Sequence, residues 1–83
     1  MVKEKVIMKN DEGLHARPAA RYLREAVKFS SKITLINSEG TEYDGKSILS
    51  VLSMGAHKGV EIIIQCEGED EKEALAHLKN FIE

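Results

Sequence analysis

The sequence predicts an α+β protein, an open-faced β-sandwich in which a four-stranded antiparallel sheet carries three helices on one face. Segments with a two-residue or a helical apolar period follow one another in the order β-α-β-β-α-β-α. A predicted β-hairpin in the middle of the chain favours antiparallel pairing. The helices have apolar sides that need a sheet face to cover them, and 83 residues suffice for a single small domain, residues 1–83.

The first predicted strand and helix flank a polar break. In residues 2–8 the apolar Val6 and Met8 lie on one side of a two-residue period and Lys3 and Lys5 lie on the other, which is typical of a strand, and the break at residues 10–13 ends it. A helix is expected from residue 16 to about residue 28. Its apolar stripe is predicted to consist of Ala16, Ala19, Ala20, Leu23 and Val27.

A hairpin and a short helix follow in the middle of the chain. Residues 32–37 and 41–43 are predicted to be strands joined through a loop at residues 38–40. Residues 47–53 contain four apolar side chains in a short helical pattern, and Gly55 is placed to end that helix.

The last strand and helix carry the clearest patterns. Residues 60–66 form the strongest predicted strand, with Ile62, Ile64 and Cys66 on one face. The final helix has an apolar stripe formed by Ala74, Leu75, Leu78, Phe81 and Ile82. Asp70 followed by Glu73 resembles a capping box at its start.

Composition excludes several classes of function. A formal net charge of -2 and only four aromatic residues, two Tyr and two Phe, argue against nucleic-acid binding. One cysteine permits no internal disulfide, and the three histidines lack metal-ligand spacing, so no metal or cofactor is expected. Because no apolar run approaches the ~20 residues of a membrane span, we expect no membrane insertion and a cytoplasmic location.

The segment "GLHARPAA" places His15 directly before the first predicted helix. A helix start has backbone N–H groups without internal partners and favours an anion, and Arg17 adds a charge-assisted donor. Both features disfavour the charged imidazolium, and a neutral ring is the nucleophile that phosphoryl transfer needs. The alternative is that His15 only occupies the N-cap position, although histidine is a poor cap.

The segment "KSILSVLSMGAHKG" offers two further candidates. Ser47 begins the short helix, either as an ordinary N-cap or as a phosphorylation site. Ile48, Leu49 and Leu52 cannot all point inward on so short a helix, so they form either an exposed docking surface or part of the core. His57 is expected in a solvated loop and His77 on a helix surface.

With both segments considered, the sequence resembles the HPr family, the histidine-containing phosphocarriers of the bacterial phosphoenolpyruvate:sugar phosphotransferase system. "GLHARPAA" matches the family's active-site motif along its length, and "KSILSVLSMGAHKG" looks like its regulatory-serine segment. The resemblance covers essentially the whole chain and implies the open-faced β-sandwich. The chain departs from the family pattern in a His-to-Ser spacing one residue longer than usual, in Ser50 and in His57.

The resemblance implies a carrier rather than a turnover enzyme. His15 is expected to accept a phosphoryl group from enzyme I on its Nδ1 nitrogen and to pass it to the IIA component of a sugar permease, with Arg17 steadying the group. Ser47 is expected to be phosphorylated by HPr kinase/phosphorylase and then to promote binding to the catabolite-control repressor. Ile48, Leu49 and Leu52 match the family's docking surface, and a monomer is expected.

Two alternatives remain open from the sequence. The carrier could serve a nitrogen-regulatory or a dihydroxyacetone-kinase phosphorelay instead of sugar uptake. The chain could also be an interaction module in which Ser47 matters and His15 is incidental.

Overall fold

The computed structural model describes residues 1–9 and 11–83 and confirms the predicted fold class. The strands pair in the order β1-β4-β2-β3, and every pair is antiparallel. The predicted ends of the elements differ from the observed ones by one or two residues, and Asn10 of the predicted first break lies outside the described residues. The elements are β1 Val2–Ile7, α1 Ala16–Ala26, β2 Lys32–Ile36, β3 Glu42–Asp44, α2 Ile48–Met54, β4 Glu61–Glu67 and α3 Glu71–Ile82.

The strand register divides the sheet into an inner and an open face. Ile64 of the central strand β4 lies between Glu4 of β1 and Leu35 of β2, and Ile63 lies between Lys5 and Ile36. Successive side chains of a strand point to opposite faces, so Ile64 and Leu35 face inward, where both are buried. The helices pack against this inner face and share one core with it. Within the described residues, each helix is too short or too polar to cross a membrane.

The buried face of α1 differs from the predicted stripe. The helix buries Pro18, Ala19, Tyr22 and Ala26, whereas Ala16, Ala20 and Val27 are exposed and Leu23 is half-buried. Several alanines left the apolar direction of the helix ambiguous in the sequence. The bulk of Tyr22, which is fully buried, decides which side faces the sheet.

Tyr22 reaches the turn after β3. A Cβ atom on Gly45 would lie 2.9 Å from the Tyr22 hydroxyl and 2.5 Å from Cγ2 of Ile33, so only glycine fits there. Burial raises the pKa of the Tyr22 phenol, and its hydroxyl has no hydrogen-bond partner among the described residues. Cys66 is also buried in the core, and burial raises the pKa of its thiol to about 11.

The predicted capping box at α3 is wrong. Asp70 is the N-cap residue, but its side chain makes no cap hydrogen bond. Its carboxylate instead accepts the Ser30 amide at 2.9 Å, the Ser31 amide at 3.0 Å and the Ser31 hydroxyl. Glu71, rather than Glu73, reaches back to accept the Gly68 amide at 3.1 Å. Asp70 therefore ties the start of α3 to the loop before β2, a long-range contact that a local motif does not reveal.

We expect Asp70→Asn to lower the melting temperature at neutral pH. The Ser31 hydroxyl and then the Ser30 and Ser31 amides hold the pKa of Asp70 below its ordinary value. A carboxyl with a depressed pKa stabilises the fold above its unfolded-state pKa, and this contribution disappears as pH falls through the folded-state pKa. The difference in melting temperature between the two proteins should therefore shrink in acid.

The matched control is Glu73→Gln, which removes an exposed carboxylate from the same helical turn. It should leave the melting temperature near the starting value. Thermal unfolding followed by circular dichroism across an acid pH series measures all three proteins. Equal losses in the two variants would contradict a specific role for Asp70.

Candidate functional site

His15 lies where an extended loop becomes helix α1. It is the N-cap residue, with φ −93° and ψ −167°, and its carbonyl oxygen accepts the Ala19 amide at 2.7 Å. The imidazole makes no hydrogen bond to the helix terminus, and the residue is exposed. A serine or aspartate cap would place its own oxygen on the first amides. His15 instead leaves these amides open beside an exposed ring.

The start of α1 offers backbone donors for an anion. The first N–H groups of a helix have no acceptor within that helix, Pro18 has no N–H, and the Ala19 amide is bonded to His15. The amides of Ala16 and Arg17 therefore lack an acceptor inside α1. These donors and the positive end of the helix dipole favour a negatively charged group next to the ring.

Arg17 begins a basic stripe along the exposed side of α1. Within residues 1–9 and 11–83 its guanidinium forms no ion pair, so its donors are available. Arg21 and Arg24 follow at spacings that place them on the same side of the helix, and all three residues are exposed. The stripe gives this face of α1 a positive potential that extends away from His15.

A close contact between two loops positions His15. Gly13 has a φ of +66°, and a Cβ atom there would lie 2.4 Å from the Ala56 carbonyl oxygen and 2.7 Å from Cα of His57. The Leu14 amide donates to the Ala56 carbonyl at 2.8 Å, and the Leu14 side chain is buried. The residue before His15 is thus fixed to the loop after α2, and only glycine fits at position 13.

An exposed ion pair joins the same two loops at their rim. The Lys58 ammonium lies 2.7 Å from the Asp11 carboxylate, and both side chains are largely in solvent. The pair lowers the pKa of Asp11 and raises that of Lys58, mainly through their mutual hydrogen bond. An exposed pair of this kind contributes little to stability. The backbone contact at Gly13 is therefore the main connection between the two loops.

Ser47 begins helix α2 and forms its side-chain cap. Its hydroxyl accepts the Ser50 amide at 3.3 Å, and its own amide donates to the Asp44 carbonyl at 3.2 Å. The neighbouring Lys46 ammonium donates to the Phe29 carbonyl at 2.6 Å, which ties this loop to the residues after α1. Ser47 is half-buried, and it serves structurally as the ordinary N-cap that the sequence offered as one reading.

The apolar residues of α2 divide between the core and the surface. Val51 is fully buried, whereas Leu49 is 74% exposed and Leu52 is 39% exposed. Ile48 is half-buried and packs against the core. Because α2 packs against α1, the exposed leucines belong to the same helical layer as the arginine stripe. Of the three predicted docking residues, two point into solvent and one is shared with the core.

The other two histidines differ in their surroundings. His57 is exposed, and its Nδ1 lies 3.4 Å from the Gly55 carbonyl. His77 of α3 has a partner that the sequence did not predict: its Nε2 lies 2.7 Å from a Glu25 carboxylate oxygen, and its ring lies 5.5 Å from that of Phe29. The hydrogen bond to His77, followed by the one to Lys28, lowers the pKa of Glu25. In the described part of the chain, no three His, Cys, Asp or Glu side chains gather as a metal ion requires.

Sequence reasoning missed the support that holds His15 in place. The loop at residues 55–59 lies 40 residues or more from His15 along the chain, and its contact is through backbone atoms. A glycine at position 13 is the only local signal of the contact, and glycine also fits an ordinary turn. The Lys46 contact was missed for the same reason, because its acceptor is a backbone carbonyl.

A comparison with protein families decides the relationship. The family model described as "PTS HPr component phosphorylation site" matches residues 2–83. The chain belongs to the HPr phosphocarrier family. The phosphocarrier protein HPr of Mycoplasma pneumoniae is 41% identical over 83 residues, which cover 100% of this chain and 94% of that protein. The resemblance found in the sequence is thereby confirmed.

Solved structures agree with this assignment. A crystal structure of an HPr from Bacillus anthracis has a TM-score of 0.95 at 34% identity, covering 99% of this chain and 96% of that one. Crh, the Bacillus subtilis catabolite repression protein, has a TM-score of 0.78 at 38% identity, covering 99% and 93% of the two chains, and is described as a dimer with a swapping domain. Identities of 41% and 38% to HPr and Crh proteins do not separate the two groups. The role of this HPr-family chain therefore depends on its site residues.

We expect Gly13→Ala to destabilise the chain more than Gly40→Ala. Both glycines have a positive φ, but a Cβ atom at Gly40 meets nothing within 4 Å. Gly40→Ala should therefore cost only the left-handed backbone penalty of roughly 1–2 kcal/mol. Gly13→Ala adds the displacement of the Ala56 backbone, so its loss should be at least twice as large.

Urea unfolding of both variants measures this difference. Amide chemical shifts of Leu14 and Ala56 should move in Gly13→Ala and stay in place in Gly40→Ala. Equal losses of stability with unmoved Leu14 and Ala56 signals would show that the loop contact does not constrain the site.

Proposed function

We propose that this chain carries a phosphoryl group in a sugar phosphotransferase system, accepting it from phospho-enzyme I on His15 and passing it to a IIA domain. The observation that carries the proposal is an exposed imidazole next to a helix start whose first amides have no internal acceptor. In the accepting step, a neutral ring nitrogen of His15 attacks phosphorus. A P–N bond forms as the bond from phosphorus to the donor breaks. In the discharge to IIA, this P–N bond breaks as phosphorus bonds to the acceptor group of IIA.

Ordinary electrostatics supports the roles of the neighbouring groups. The transferred group carries negative oxygens, which the Ala16 and Arg17 amides and the Arg17 guanidinium can hold by charge-assisted hydrogen bonds. Arg17 has no competing ion pair among the described residues. We assign it the role of steadying the phosphoryl group in both exchanges, and we retain Nδ1 as the reacting nitrogen from the family resemblance.

An exposed site suits a carrier more than a turnover enzyme. The phosphoryl group on His15 has to be reached by two different partners in succession, and an open helix terminus allows this approach. Closed active sites exclude water to strengthen their electrostatics, and His15 lies on the surface. We therefore propose that residues 1–83 act as one domain, as a substrate of partner phosphotransferases, in the cytoplasm and without a cofactor.

The helical face around His15 supplies a docking surface for those partners. The arginine stripe favours acidic partner surfaces, and Leu49 and Leu52 offer exposed apolar side chains on the adjoining helix. Interfaces of this kind combine a few apolar anchors with charged groups that speed the encounter. We propose that Leu49 and Leu52 anchor enzyme I and IIA domains, with Ile48 supporting them from the core side.

We propose that Ser47 regulates this surface. A phosphate there adds roughly 1.5 to 2 negative charges at the start of α2, directly before the docking residues. It would oppose an acidic partner and would replace the hydrogen bond between Ser47 and the Ser50 amide. We propose phosphorylation by an HPr kinase/phosphorylase, a weaker enzyme I encounter and binding to a catabolite-control repressor; the likeness to Crh, described as a catabolite repression protein, supports this regulation.

We expect incubation with phosphoenolpyruvate and enzyme I to add one acid-labile phosphoryl group to this chain and none to His15→Ala. His57→Ala and His77→Ala are matched controls that should still accept it, because their rings lie outside the start of α1. Mass spectrometry before and after acid treatment counts the groups. Uptake of the group by His15→Ala would contradict the assignment. So would a failure of both control variants to accept it while His15→Ala still did.

We expect Leu49→Gln to raise the KM of enzyme I for this chain by about tenfold, the effect of losing an apolar anchor worth about 1.4 kcal/mol. Phe81→Gln is the control, since Phe81 is also partly exposed but lies on α3. Circular dichroism checks that both variants are folded. Equal KM values for the two variants would show that Leu49 does not belong to the docking surface.

A further inference from the structure

We propose that the open face of the sheet is a docking surface for a second copy of this chain. This face lies opposite the helices and carries the outward side chains of all four strands. The proposal goes beyond phosphoryl transfer, because His15 and the docking leucines belong to the helical layer. It commits to a symmetric, face-to-face dimer.

The register of the strands gives the open face a charge polarity. One row across the sheet runs from Lys5 on β1 through Ile63 and Ile36 to Glu42 on β3. The next row runs from Lys3 through Gln65 and Thr34 to Asp44. In these two rows, lysines occupy one edge strand, carboxylates occupy the other, and uncharged side chains lie between them. Charged residues also lie on the inner strands beyond these rows. Glu67 of β4 lies beside Lys32 of β2, and Glu61 of β4 lies 3.9 Å from the Lys5 ammonium.

This polarity is self-complementary about one two-fold axis. An axis parallel to the strands turns one copy over, so that β1 of each copy faces β3 of the other. Lys5 then lies opposite Glu42, and Lys3 lies opposite Asp44, in two symmetric sets. An axis perpendicular to the strands would set like charges against each other, which is unfavourable. The charges therefore select one orientation, as an isologous interface requires.

The apolar residues of the open face fit the same arrangement. Ile63 and Ile36 are half-buried at the centre, and Ile7 is 44% exposed at one corner. A shallow depression beside the hairpin is lined in part by Ile36, Ile63 and Gly40. The two-fold operation places Ile7 of one copy over Gly40 of the other, where no side chain fills the space. Apolar contacts therefore occupy the central row of Ile63 and Ile36, and ion pairs occupy both rims.

The size of the face predicts a weak dimer. Four strands about 4.8 Å apart and a few residues long present roughly 300–400 Å² per copy, about half the ~800 Å² of a stable interface. We expect a dissociation constant of about 1 mM or somewhat less. The chain is then a monomer in dilute assays, in line with the sequence expectation, and pairs only when it is concentrated.

Reciprocal charge reversal tests the orientation. Lys5→Glu and Glu42→Lys each place like charges opposite one another twice, so neither variant should self-associate. In a mixture of the two, the new glutamate of one copy faces the new lysine of the other and the native pair is also opposite in charge. The mixture and the double variant Lys5→Glu/Glu42→Lys should both associate. NMR translational diffusion at rising concentration measures this, and two-dimensional amide spectra confirm that each variant is folded.

Two further variants test which face of the chain forms the contact between the two copies. Ile63→Thr, which keeps a β-branched side chain, should weaken association at least threefold, whereas Leu49→Gln on the helical layer should leave it unchanged. Association should also weaken as salt is raised. The proposal is overturned if the unaltered chain stays monomeric at millimolar concentration or if Leu49→Gln alone abolishes pairing. A persistent dimer that ignores the charges at positions 5 and 42 would likewise overturn it and indicate strand exchange instead.

Discussion

The close contact between Gly13 and the loop at Ala56 is the constraint on which the candidate site depends. The positive φ of Gly13 and the bond from the Leu14 amide to the Ala56 carbonyl fix the backbone immediately before His15. Leu14 is buried, so the contact is anchored in the core. The loop can therefore turn into α1 at a fixed place, and the ring of His15 emerges at the helix start without being held by the helix.

This arrangement separates a rigid backbone from free functional groups. The amides at the start of α1 are held in place by the helix, whereas the His15 ring and the Arg17 guanidinium have no ion pair in the described chain and lie in solvent. Preorganised amides stabilise an anion without reorganising when it arrives. Exposed side chains allow the anion to be removed again. A group that must be both accepted and given up requires both properties.

The sequence predicted most of the fold because its strands are rich in β-branched residues and most of its breaks contain glycine. Ile62, Ile64 and Cys66 share a buried face as expected, and Gly55 ends α2 with a left-handed φ of +62°. Prediction failed where a local pattern was ambiguous or where the contact was distant. Alanines concealed the direction of α1, and Asp70 bonded to Ser30 and Ser31 instead of capping its own helix.

The candidate site was predictable in its chemistry and not in its support. His15, Arg17 and Pro18 lie within four consecutive residues, so their relation to a helix start can be inferred from order alone. The backbone of Ala56 is distant in sequence and carries no distinctive side chain, so no residue type indicates its role. The mixed outcome for Ile48, Leu49 and Leu52 has a similar cause. The pattern of a short helix with three neighbouring apolar positions does not determine which of these side chains is buried.

The two faces of the sheet differ in how well they tolerate substitutions. Residues on the inner face meet helices, so a change there affects packing and the loops that hold His15. Residues on the open face meet solvent, and their charges can change without disturbing the core. The ordered separation of lysines on β1 from carboxylates on β3 is therefore not a requirement of the fold. A pattern that the fold does not require, on a face with apolar residues at its centre, is better explained by recognition than by stability.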